Sequence, residues 1–154
     1  MAVFVDRTII PRARDAVFQF LIQVRNLERI TAGELGLSFV SAPERLVRGA
    51  VIEFRIQGLG MVQRAVHEVV EFDPPVRFVE RQVQGPMRFW VHEHLFHEEE
   101  GRTVVEDRIE FQPPGGMLGL LATESRILES LEEGFFSRNR TLLRLIEAEV
   151  AVDR

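Results

Sequence analysis

The sequence predicts an α+β fold: about seven strands in one curved antiparallel sheet wrapped on a long C-terminal helix, with two short helices after the first strand. Three observations carry this. From Leu37 to Phe111 the chain is a succession of segments in which apolar and polar residues alternate, separated by Gly, Pro and acidic turns. From about Met117 to Glu149 the apolar residues shift to helical spacing. Ahead of the strand block stands one alternating segment followed by two stretches of helical period. Strands joined by short turns belong to antiparallel sheets, and an amphipathic helix after them must lie on the sheet to bury its stripe.

Each element follows from its own residues. Ala2 to Ile10 alternates and is closed by Pro11. Ala13, Val17, Phe18, Leu21 and Val24 fall at helical spacing, with Asp15 near the start where it suits the helix dipole. Asn26 to Thr31 reads as a second short helix closed by Gly33. Leu37 to Ser41 is a strand. Ala50 to Gln57 sets Ala50, Ile52, Phe54 and Ile56 on one face against Val51, Glu53, Arg55 and Gln57. Gly58-Leu59-Gly60 turns the chain into a long strand from Val62 to Phe72, which Asp73-Pro74-Pro75 ends. Val76 to Gln84 follows, then Gly85-Pro86, then two more strands separated by Glu98-Glu99-Glu100-Gly101, read as a solvated hairpin turn. Pro113-Pro114-Gly115-Gly116 stops the last of them. In the long helix Leu121, Leu128, Leu131, Phe135, Leu142 and Ile146 make the stripe, and Arg138 lies on or beside it.

The 154 residues suit one domain, 1–154, with no repeat, linker or low-complexity tract. There are no cysteines, which excludes disulfides and thiolate metal sites and fits a reducing, cytoplasmic setting. No signal pattern opens the sequence, and the charge-free run from Phe111 to Thr123 is too short to span a bilayer, so no stable membrane insertion is expected. The net charge of −5 argues against nucleic acid as the partner. All 19 basic residues are arginine, which removes Schiff-base lysine chemistry, and the lack of tyrosine removes a tyrosine acid. No G-x-S-x-G, P-loop or dinucleotide fingerprint is present.

The most specific stretch is Gln82 to Phe111. Trp90, His92, His94 and Phe96 share one strand face. Val105, Asp107, Ile109 and Phe111 share another, which must be buried and which carries a carboxylate that needs a partner. Glu80 and Gln82 share a face with Phe78. The strand of the two histidines is apolar on both sides, since Phe89, Val91 and Leu95 oppose them, and a one-residue slip would send both histidines outward. His67 and His97 read as surface or strand-pairing residues, and Leu59 and Met61 as an exposed hairpin tip.

These residues carry a resemblance. Phe78, Glu80, Gln82, Gly85, Pro86, Met87, Trp90, His92, His94 and Phe96 are similar to a pattern F-x-[DE]-x-Q-x-x-G-P-[FYM]-x-x-W-x-H-x-H-x-F. Thr103, Asp107, Ile109, Phe111 and Pro114 continue it as T-x-x-x-D-x-[IV]-x-[FY]-x-x-P, and Phe135 with Arg138 matches a later F-x-x-R. Together with the element order, this resembles the START-related superfamily, also called SRPBCC or Bet v 1-like. The likeness is to its polyketide cyclase/dehydrase-like and coenzyme Q-binding START-like members, in a bacterial branch without an assigned activity. Glu80 stands where aspartate is commoner and Phe111 where tyrosine is commoner, so a hydroxyl donor is lost. The resemblance implies a helix-grip fold and a lipid, isoprenoid quinone or polyketide-like ligand. It ties shape more than reaction.

A sheet gripping a helix leaves room between them, and that is a natural ligand cavity. The expected ligand-binding set is Phe54, Glu80, Gln82, Trp90, His92, His94, Phe96, Asp107, Phe111, Phe135 and Arg138. The polar members read first as a hydrogen-bonded cluster in which Arg138 neutralises Asp107 or Glu80, because a guanidinium fork suits a carboxylate. A second reading makes His92 or His94 with Asp107 an acid/base pair of a cyclase/dehydrase, with Arg138 orienting an anionic group. The chain is expected to be a binding protein rather than an enzyme. The H-x-H pair with Glu80 or Asp107 offers ligand types that zinc accepts. Such pairs on strands are common without an ion and the resemblance implies none, so no metal and no cofactor are expected. The expected partner is a hydrophobic small molecule, with a homodimer left open.

Overall fold

The computed structural model describes residues 1–31, 36–58 and 61–152. In chain order these form β1 (Ala2–Ile10), α1 (Arg14–Leu21), α2 (Val24–Thr31), β2 (Leu37–Ser41), β3 (Val51–Gly58), β4 (Met61–Asp73), β5 (Arg77–Gln84), β6 (Phe89–Glu99), β7 (Arg102–Gln112), α3 (Gly116–Leu121) and α4 (Glu124–Val152). The seven strands make one antiparallel sheet in the order β1-β7-β6-β5-β4-β3-β2. Successive strands from β2 to β7 pair as hairpins. The exception is β1, which lies beside β7 at one edge, while α1 and α2 carry the chain across to β2 at the other. Register shifts between Val66 and His67 and between Val69 and Glu71 interrupt the β4–β5 ladder, and such bulges bend a strand and sharpen its twist. The long helix α4 lies across the inner face, with Leu131, Phe135, Leu142 and Ile146 buried. Among the described residues no helix is long and apolar enough to cross a membrane.

The strand ends differ from the sequence reading by a residue or so, and the helix boundaries differ more. The first helix ends at Leu21 rather than Val24, because the backbone beyond it is claimed by another segment. Leu46 N–H donates to the Ile22 carbonyl (2.8 Å) and Val24 N–H to the Glu44 carbonyl (3.0 Å). Val24 opens α2 instead, and buried Asn26 fastens the two helices by donating from Nδ2 to the Phe20 carbonyl (2.8 Å). The helix expected from Met117 to Glu149 is two helices. Ala122 leaves helical geometry at φ −95°, ψ 71°, and Thr123 Oγ1 accepts from Arg126 N–H (3.4 Å) as the cap of α4. Leu121 therefore leaves the α4 stripe and stays about half exposed. Gly33 and Leu59 lie outside the described residues; Met61 is exposed, as expected of a hairpin tip.

The core has two parts. One contains Phe18, Phe78, Phe96, Val105 and Leu142, and the other Ala2, Phe4, Ile109, Phe111, Leu131 and Phe135. In the first, Phe18 of α1 meets Phe78 edge-on at 6.1 Å and Phe96 at 5.0 Å between ring centroids. Geometries of this kind add about 0.5–1.5 kcal/mol per pair beyond burial. Asp107 stands on β7 between Val105 of one part and Ile109 of the other. Arg138 stands on α4 between Leu142 and Phe135 in the same way.

Candidate functional site

Register decides which side chains meet. His67 on β4 pairs with Gln82 on β5, Glu80 on β5 with His92 on β6, and His94 on β6 with Asp107 on β7. Residues directly opposite in a ladder lie on the same face, so these three pairs make a polar diagonal across four strands. The diagonal faces inward: His67, His92, His94 and Asp107 are all buried. This answers the question that two apolar faces on β6 left open. Phe89, Val91 and Leu95 are half-buried on the outer side.

At the centre, Asp107 has no exposed surface. Arg138 Nη1 donates to its Oδ2 (2.8 Å) and His92 Nε2 donates to its Oδ1 (2.8 Å). The guanidinium also lies over the Phe135 ring, 4.7 Å from its centroid. His92 and His94 stack at 3.7 Å, and His94 stacks on Phe78 at 4.1 Å. His94 Nδ1 lies 3.0 Å from Asp107 Oδ1, but neither of its ring nitrogens makes a hydrogen bond. Glu80 Oε1 stands 3.4 Å from His92 Nδ1, 3.6 Å from His67 Nδ1 and 4.0 Å from His94 Nε2.

Burial and charge pull these groups in different directions. Burial alone would raise Asp107, but the Arg138 charge and the two histidine rings hold it well below the ordinary carboxylate range. Glu80 is likewise raised by burial and overcome by His67 and His92, ending well below that range. For His92, burial favours the neutral ring, yet the hydrogen bond to Asp107 and the nearness of Glu80 raise it above the usual histidine value. His94 is pushed down to about 4, first by burial and then by the charge on His92.

Beside the diagonal lies a cavity of about 340 Å³ between the sheet and α4, with α2 and the α3–α4 junction at its rim. That size falls in the range of small-molecule sites. Of the residues expected at the site, Phe54, Glu80, Gln82, Trp90, His92, His94, Phe135 and Arg138 line it. Three do not. Phe96 and Phe111 are packed within the two core parts, and Asp107 stands behind the wall, where it orients His92 and anchors Arg138. Gln82 is committed to the following turn: its Nε2 donates to the Met87 carbonyl (2.7 Å), and Met87 N–H donates back to Oε1 (3.3 Å). A Cβ at Gly85 would sit 2.3 Å from that same Oε1, so the clamp requires glycine there.

His67 corrects the sequence reading. It is buried, lines the cavity and packs edge-on against Phe54 at 4.6 Å. Its signal was the alternation Ala65, His67, Val69, all buried in the fold, but Val66 and Val70 make the other face apolar as well. His97, by contrast, is exposed, as expected. Ile109, Leu131, Leu27 and Ile127 also line the cavity, and each looks in sequence like ordinary core.

The architecture is the helix-grip fold, a curved antiparallel sheet closed on a long C-terminal helix. The structure of TTHA0849 from Thermus thermophilus superposes with a TM-score of 0.72 at 16% identity, covering 94% of this chain and 99% of that one. Ara h 8.0201 gives 0.68 at 9% identity, covering 96% and 98%. Ginseng major latex-like protein 151 from Panax ginseng gives 0.64 at 15% identity, covering 93% and 95%. No protein-family model and no curated protein matches the sequence. At these identities the likeness is one of fold.

Proposed function

We propose that this chain, as a single domain, binds an amphipathic small molecule with a mainly apolar body in the cavity between the sheet and α4. The observation that carries the reading is the contrast within the cavity wall. Phe54, Ile52, Ile56, Leu131 and Phe135 supply apolar surface, while Glu80, His67 and Trp90 supply polar groups at one end. Trp90 Nε1 is buried without a hydrogen-bond partner. A buried donor left unpaired costs about 1–3 kcal/mol, which a ligand oxygen would recover. The resemblance of the Gln82–Phe111 motif favours a lipid, isoprenoid quinone or polyketide-like ligand. It also favours kinship with bacterial cyclase/dehydrase-like and coenzyme Q-binding START-like proteins acting in the cytoplasm. The acidic balance disfavours nucleic acid, and a homodimer is compatible with the reading.

Native mass spectrometry of the protein purified from its own cell extract, with extraction of what it carries, tests this. A stoichiometric apolar ligand is expected, and Leu131→Phe should displace it by filling the cavity. A protein that stays empty and gains no thermal stability from any quinone, lipid or polyketide offered would sink the reading.

A second reading has its own observation: His92 is held by Asp107 on one nitrogen and turns the other toward Glu80 at the cavity wall. That arrangement suits a cyclase/dehydrase-type proton transfer. In that case His92→Gln would abolish turnover while ligand affinity changed little.

A further inference from the structure

We propose that Glu80, His92 and His94 form a binding site for a divalent transition-metal ion of the zinc class at the polar end of the cavity. This goes beyond the ligand-binding reading and does not depend on which molecule fills the cavity.

The first argument is spacing. Glu80, His92 and His94 each bring one ligand atom to within 4.8 Å of the others. The separations from Glu80 Oε1 to the ring nitrogens of His92, His67 and His94 are 3.4, 3.6 and 4.0 Å. An N–H···O hydrogen bond needs about 2.7–3.2 Å. Two atoms bound to one tetrahedral ion at zinc's usual bond lengths stand about 3.4 Å apart. These contacts are long for the first, and the His92 and His67 separations are close to the second.

The second argument is which atoms face inward. His92 Nε2 carries its proton toward Asp107, so in the neutral ring Nδ1 is a bare acceptor, and it faces a carboxylate oxygen. His94 repeats this with its nitrogens exchanged: Nδ1 lies beside Asp107 and Nε2 points at Glu80. With His92 neutral, acceptors converge on a carboxylate, and a metal ion between them relieves the repulsion that a proton on His92 relieves in its absence. His94 is the independent sign, a ring 4% exposed with neither nitrogen hydrogen-bonded.

The third argument is support and charge. Metal-bound histidines are held from behind by carboxylates, and Asp107 holds His92 in this way, with its Oδ1 3.0 Å from His94 Nδ1. The charge of Asp107 is already matched by Arg138. Among the described residues no arginine pairs with Glu80, so its charge remains for the ion. Imidazole nitrogens with one carboxylate oxygen suit zinc and its neighbours rather than calcium or magnesium. The H-x-H spacing alone is weak; what the fold adds is Glu80 across the ladder and Asp107 behind.

The test uses full-length protein prepared without a histidine tag and stripped with chelator. Cobalt(II) added to one equivalent should give visible ligand-field bands of four-coordinate intensity, displaced by zinc, and zinc should raise the melting temperature. Glu80→Gln removes the anionic ligand, and His94→Phe keeps the stack between Phe78 and His92. Each should weaken binding at least 100-fold with the circular dichroism unchanged. Should either variant fail to fold, X-ray absorption of the zinc-loaded wild type decides, with two imidazoles and oxygen expected. The proposal is overturned if the wild type shows neither bands nor thermal shift, if both variants bind as tightly as wild type, or if the absorption spectrum shows no imidazole. Ligand extraction is a separate measurement, so either proposal can fail without the other.

Discussion

Three adjacent strands change character halfway along. On β5 the inward residues run Phe78, Glu80, Gln82; on β6 they run Phe96, His94, His92, Trp90; on β7 they run Val105, Asp107, Ile109, Phe111. At the Phe78, Phe96 and Val105 end the fold is closed, with α1 driving Phe18 among the rings. Two residues further on it is polar, and beside that it is hollow. Both halves share one sheet and one helix. What separates them is whether a short helix plugs the space under the sheet. Interiors pack to crystal-like density where side chains interdigitate; where α1 does not reach, a cavity remains.

That contrast can be broken most severely at its boundary. Asp107→Ala leaves Arg138 buried without its carboxylate and should cost about 3–5 kcal/mol of stability by urea denaturation. A loss below about 1 kcal/mol would mean that solvent already reaches the pair. Close behind, Phe96→Ala opens a void in the closed half and should cost about 3–5 kcal/mol. Over-packing should separate the halves directly. Val105→Phe in the closed half should cost about 1–3 kcal/mol, whereas Leu131→Phe projects into existing space and should cost less than the lower end of that range. Equal penalties would show that the cavity collapses in solution. The smallest effect is expected at the turn: Gln82→Ala removes two bonds to Met87 and should cost about 1 kcal/mol by the same denaturation.

Among the buried groups, acidification should act on the polar half. In chelator-treated protein His94 titrates near 4 when folded and near 6.5 when unfolded, so between those values the unfolded chain takes up the proton and stability falls with pH. Glu80 and Asp107, both held low, contribute stability above their unfolded values of 4.5 and 3.8 that is lost as pH falls further. His92, raised, works the opposite way, favouring the folded state on the acid side. His94 sets the slope across this range, joined by Glu80 toward its lower end, while Asp107 acts mainly below it and His92 mainly above it, so the melting temperature should drop from pH 6.5 to pH 4. His94→Phe should flatten that slope; an unchanged slope would place the titration elsewhere.

Alternation made the strands legible, and the inward face of β7 could be read because Val105, Ile109 and Phe111 outweigh Asp107. The histidine face of β6 could not, because each side is apolar; only the pairing of His92 with Glu80 and His94 with Asp107 decides it. His67 was hidden for the same reason on β4. The break between α3 and α4 escaped because Ala122 and Thr123 carry no strong stop signal, and the residues around them keep helical spacing. Cavity walls such as Ile109 and Leu131 are invisible in sequence, since an apolar residue beside a hollow and one in a filled core have the same chemistry.

The edge position of β1 has a consequence for the order of assembly. Ala2 pairs with Phe111 and Ile10 with Thr103. Because its partner is the last strand in chain order, β1 can pair only after nearly all of the sheet has been made. Until β7 emerges, Val3, Phe4, Val5, Ile9 and Ile10 form an unpaired apolar strand of the kind that recruits chaperones or wrong neighbours. Closing so long a loop makes the β1–β7 ladder a late step in folding.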